Sequence, residues 1–167
     1  DNAASQFKSK DGSEKSFAKA TQAEKMQILD RQDMTPEEKG AYMYSGTDSQ
    51  AVKSTFEEYG NEGVWNYYKV KQAADPDGSG SFSADAAMSY LDRQDYSDEE
   101  KGFYMYQLGS EGKTRDRFYS GKGYEGVYDY YKIKSEADYN GNGNLAQNEV
   151  IPYISSADFP REVKRLY

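Results

Sequence analysis

The chain has 167 residues, a formal net charge of −8, and neither cysteine nor histidine. Lacking both, it has no disulfides, no thiolate or imidazole metal sites and no catalysis of the Ser-His-Asp kind. The acidity opposes nucleic-acid binding, which depends on cations that displace phosphate counterions, and no apolar run approaches the roughly 18 residues of a membrane span.

Residues 1–20 are polar and rich in Lys, Ser and Asp, and are expected to form a flexible N-terminal segment. Thr21-Gln-Ala-Glu24 then reads as a capping box opening a helix that carries Met26, Ile28 and Leu29. Thr35-Pro-Glu-Glu38 is a second box, with Pro36 at the first helical position, where a missing N–H costs nothing. The segment from Gly63 to Ala74 places Val64, Tyr67, Tyr68 and Ala74 near one helical face and runs into the loop Asp75–Ala86. Gly60, Gly109, Gly112, Gly121 and Gly123 read as helix stops or turns.

The order then recurs. Leu29-Asp-Arg-Gln-Asp33 returns 62 positions on as Leu91-Asp-Arg-Gln-Asp95, and Ser97-Asp-Glu-Glu100 repeats the second box. Gly63-Val-Trp-Asn-Tyr-Tyr-Lys-Val-Lys71 returns 63 positions on as Gly126-Val-Tyr-Asp-Tyr-Tyr-Lys-Ile-Lys134. Self-similarity at this period means one supersecondary unit and its copy, here about 24–86 and 87–149, followed by a partial copy over 150–167. The expected fold is all-α, two four-helix repeats packed as one compact domain over 21–167, with at most a short β-bridge between Phe82 and Leu145. Hydrophobic residues are only 36% of the chain, with 17 Tyr against 7 Phe, so tyrosine rings must build much of the core.

Residues 138–149, Asp-Tyr-Asn-Gly-Asn-Gly-Asn-Leu-Ala-Gln-Asn-Glu, place an oxygen ligand at alternate positions, a glycine sixth and a glutamate twelfth. A hard cation needs six or more converging oxygens, and a tightly wound loop turns every second side chain inward. Asp138, Asn140 and Asn142 offer side-chain oxygens, Asn144 its carbonyl and Glu149 both carboxylate oxygens to calcium. The upstream loop offers Asp75, Asp77, Ser79 and Ser81, but its twelfth residue is Ala86, so a bidentate oxygen is missing unless Asp85 turns inward. With only two formal charges in the intact loop, affinity is expected at roughly 10⁻⁴ M or weaker.

On these loops the chain resembles the EF-hand superfamily, which implies a helix on each side of each loop and Ca2+ as the ligand. More loosely, the order Leu-Asp-x-x-Asp, capping box, Tyr-Tyr-Lys, Asp-x-Asn-Gly-x-Gly is similar to EF-hand segments of large bacteriophage and mobile-element proteins.

The expected role is a non-enzymatic structural or interaction module. Calcium would stabilise a helical repeat within a larger extracellular or virion-associated protein, and the partner would be another protein or the rest of the parent chain. The missing initiator methionine and signal sequence are read as marks of a processed piece. Two alternatives stand beside it: a calcium-responsive regulator exposing a hydrophobic groove, and a carbohydrate-binding module using the rows Trp65, Tyr67 and Tyr128, Tyr130. For those rows, core packing is the plainer reading.

Overall fold

The structure, a computed structural model, describes residues 6–8, 14–45, 49–109 and 112–137. Among these residues a short hairpin, β1 (Gln6–Lys8) and β2 (Glu14–Ser16), and a single 3-10 turn, Phe17–Lys19, precede six α-helices. The helices are α1 (Gln22–Asp30), α2 (Pro36–Tyr44), α3 (Gln50–Ala74), α4 (Ala84–Asp92), α5 (Asp98–Leu108) and α6 (Lys113–Ala137). The all-α expectation holds apart from the hairpin, whose antiparallel register sets Phe7 opposite Lys15 within the segment expected to fray. Strands of three residues are too short to leave the alternation by which a strand is recognised in sequence. Leu145 lies outside the described residues.

The chain divides into two compact units, Asp1–Ser81 and Phe82–Tyr167. The break falls inside the loop 75–86, ahead of the repeat boundary expected after residue 86. In the first unit α2 packs along α3; in the second α5 packs along α6.

Helices α1 to α5 start at the hydroxyl caps Thr21, Thr35, Ser49, Ser83 and Ser97. Thr21 accepts from the Glu24 amide and its own amide donates to the Glu24 carboxylate, both at 3.2 Å, so the box is complete. Thr35 accepts from the Glu38 amide and Ser97 from the Glu100 amide, and such caps stabilise a helix by about 1 kcal/mol each. The two long spans follow the sequence expectation. Gly60 (φ 69°, ψ −163°) and Gly123 (φ 67°, ψ −149°) leave the helical conformation inside α3 and α6, so each is two helices meeting at a kink. Read as helix stops, these glycines give four helices per repeat, and the backbone agrees once each long span is divided at its glycine.

Equivalent positions fill the two cores. Leu29 and Leu91 are fully buried, as are Val64 and Val127, Val70 and Ile133. Burying such a side chain contributes about 1.5–3 kcal/mol. From Gly63 to Tyr68 every residue of α3 is buried, so this half of the helix is enclosed on all sides. Among the described residues no helix is long and apolar enough to cross a membrane.

Candidate metal-binding loop

Both long helices end one residue before a candidate ligand: α3 at Ala74, before Asp75, and α6 at Ala137, before Asp138. Asp138, Asn140, Asn142, Asn144 and Glu149 themselves lie outside the described residues. The upstream loop is described, and its first half belongs to the first unit.

Its shape follows from two glycines and two aspartates. Gly78 (φ 67°) and Gly80 (φ 86°) take the positive-φ conformation that a Cβ resists. Around the bend the carboxylates turn in on the backbone. Asp75 accepts from the Ser79 amide at 3.0 Å and from the Gly80 amide at 2.8 Å, one bond per carboxylate oxygen. The Ser79 hydroxyl donates to the same Asp75 Oδ1 at 3.3 Å, while Asp77 Oδ1 accepts from the Ser79 amide at 3.1 Å. Hydrogen bonds from Ser79, through its hydroxyl and its amide, hold the Asp77 carboxyl below the usual carboxylate range. Ser81 donates its amide to Ser79 Oγ at 3.3 Å.

Three candidate ligands, Asp75, Asp77 and Ser79, are thus gathered about one bend, and all are oxygen donors of the kind a hard cation takes. Asp85 is held in a different setting. It is exposed in the first turn of α4, which is capped by Ser83 accepting from the Ala86 amide at 3.2 Å, and it belongs to the second unit. Among the described residues no three carboxylates converge as a metal site. A cavity of about 400 Å³ opens beside the bend, lined by Thr21, Gln22, Lys71, Asp75, Asp77 and Gly80 among others.

The aromatic rows are core. Trp65, Tyr67 and Tyr128 keep 2%, 4% and 6% of their surface exposed, so these residues present no platform to a glycan or a partner. Tyr130 is half-buried, its ring against Tyr131 and Phe118. Burial, with the neighbouring Tyr68, pushes the Tyr67 hydroxyl up to about 12, and burial beside Tyr130 does the same for Tyr131. Tyr128 is raised as well, first by burial and then by the hydrogen bond it donates to Asp92 Oδ1 at 2.5 Å.

A recurring arrangement escapes sequence reading. Lys39 pairs with Asp30 at 3.1 Å and lies 5.3 Å from the Trp65 ring centre; Lys101 pairs with Asp92 at 3.7 Å and lies 5.4 Å from the Tyr128 ring centre. Each ties three elements of its unit together by an ion pair and a cation–π contact. The signal was present, since Asp30 and Asp92 stand in the repeated Leu-Asp-Arg-Gln-Asp, and Lys39 and Lys101 in the repeated Glu-Glu-Lys-Gly. Of the motif's arginines, Arg93 serves locally, donating Nε to the Ser89 carbonyl at 3.2 Å. No protein-family model, curated protein or solved structure matches the chain.

Proposed function

We propose that the chain is a calcium-stabilised, EF-hand-like helical repeat, a structural or interaction module of a larger extracellular or virion-associated protein rather than a catalyst. The observation that carries the reading is the Asp75–Ser81 bend. Its three side-chain oxygen donors are gathered by bonds to Ser79, directly after a long helix and at the register where Asp138 follows α6. Oxygen donors alone suit calcium, and the lack of an oxygen at Ala86 makes this the weaker site. Asp138, Asn140, Asn142, Asn144 and Glu149 would hold the stronger one, and the ion would supply a fixed charge locking the junction between the helices. Its partner is another protein or further parts of its own parent chain.

The regulator reading is disfavoured by two features of the chain. The five methionines are scattered along the chain rather than gathered as in a Met-rich groove, and the candidate loops carry little charge.

Titration calorimetry with calcium chloride tests the proposal. The expected result is at least one site with affinity on the order of 10⁻⁴ M, lost in Glu149→Gln, and a weaker event lost in Asp75→Asn. No heat of binding at millimolar calcium would overturn it.

A further inference from the structure

Lys122 directly precedes Gly123 in α6, where the backbone leaves the helical conformation. Across this kink the Lys122 ammonium reaches the second half of the helix twice. Its Nζ donates to Glu125 Oε1 and to Asp129 Oδ2, both at 3.3 Å. A side chain on an unbroken helix meets those three and four positions away, whereas seven positions carry the chain about 10 Å along the axis. The bond to Asp129 therefore depends on the kink. It is also drawn away from water: the Asp129 side chain keeps 13% of its surface exposed, against 50% for Glu125. The first unit kinks at Gly60 without these groups, since Tyr59, Glu62 and Asn66 hold the matching places.

We propose that Lys122, Glu125 and Asp129 form an acid-operated latch on the kink of α6, shut while Asp129 is ionised and released when it takes a proton. The charges around the carboxyl set the balance. Lys122 and Glu125 face it along α6, and Asp98 from the first turn of α5; on α4, Asp92 is engaged by Tyr128 and Lys101. Burial raises the Asp129 carboxyl above its ordinary value by more than Lys122 lowers it, and Glu125 and Asp98 add to the rise. Asp129 thus takes its proton at a pH at which ordinary exposed carboxylates keep their charge. A carboxyl raised in the fold contributes stability that is complete at low pH and lost as pH climbs through its folded value. Protonation therefore opens the ion pair without unfolding the unit. Lys122 is then left with the half-exposed Glu125, a surface pair of little strength. Backbone and packing alone join the two halves of α6 in that state, and the angle between them relaxes.

Carbon-13 titration of the carboxyls, with residual dipolar couplings of the α6 amides on both sides of Gly123, tests this on the full chain. Asp129 is expected to titrate above the exposed carboxylates, and across the same pH range the couplings of residues 124–137 should reorient against those of 113–122. In Asp129→Asn, which installs the residue type of Asn66, the reorientation should be absent. In Lys122→Met the Asp129 titration should move higher still, with no reorientation accompanying it. The amides flanking Gly60 should keep their orientation throughout. Unchanged couplings through the Asp129 titration would overturn the proposal, as would an Asp129 that titrates with the exposed carboxylates. So would a reorientation that persists in Lys122→Met.

Discussion

Gly40 lies with its Cα directly against the carbonyl of Asn61, the residue that follows the kink at Gly60; a Cβ on Gly40 would fall on that oxygen. Gly102 stands in the same relation to the carbonyl of Tyr124, beside the kink at Gly123. In each unit the helix before the long one meets it backbone to backbone, at the point where the long helix turns. Glycine is required there by space, and glycine at 60 and 123 by positive φ.

Gly40→Ala and Gly102→Ala are therefore expected to destabilise their units by about 3 kcal/mol, since the obstacle is backbone and cannot swing aside. That corresponds to a drop of roughly 10 °C or more in melting temperature by calorimetry. Gly112→Ala, where a Cβ meets nothing within 4 Å, serves as the control and should cost only about 1 kcal/mol or less, the preference of an N-cap position for glycine over alanine.

The hydroxyl of Tyr128 donates to Asp92, which also pairs with Lys101. Tyr128→Phe should cost about 1 kcal/mol, because the ring and its contact with Lys101 remain. Tyr128→Ala should cost about 3–5 kcal/mol through the cavity it leaves. Denaturant unfolding of both variants separates the hydroxyl from the ring.

Alkaline pH should unfold the protein through its buried tyrosines. Tyr67 and Tyr131 are raised from 10.0 to about 12 in the fold. A raised acid is protonated more firmly in the folded state, so its contribution is complete below the unfolded value near 10 and is lost as pH climbs through 12. Each contributes up to about 3 kcal/mol. Tyrosinate absorbance followed with helical circular dichroism should show late ionisation coinciding with loss of helix between these limits.

Ala86 sits three residues after the Ser83 cap, so Ala86→Glu should complete a capping box at the start of α4. The variant is expected to gain about 0.5–1 kcal/mol of stability, measured by denaturant unfolding.

Much of the fold was legible because its signals are local. Thr21, Thr35 and Ser97 cap helices where hydroxyl and glutamate stand three apart, and Leu29 and Leu91 are buried as their apolar spacing implies. What stayed hidden depends on distant approach. Nothing local says that Gly40 meets Asn61 or that Lys39 spans Asp30 and Trp65. Tyr67 and Tyr68 point about 100° apart, so spacing alone requires at least one ring in the core; α3 is enclosed on all sides there, and both are buried. In the loop, the bend at Gly80 and the gathering of Asp75, Asp77 and Ser79 about it follow from side-chain type and spacing. The setting of Asp85 does not, since the Ser83 cap claims that stretch for α4.

Melting temperature in chelator and in calcium, for the wild type and Glu149→Gln, probes the metal reading most directly. Calcium at about a hundred times its dissociation constant adds about 2.7 kcal/mol to a fold that binds it. The account predicts a rise of several degrees for the wild type and little or none for Glu149→Gln. Equal melting of the wild type in chelator and in saturating calcium would contradict it.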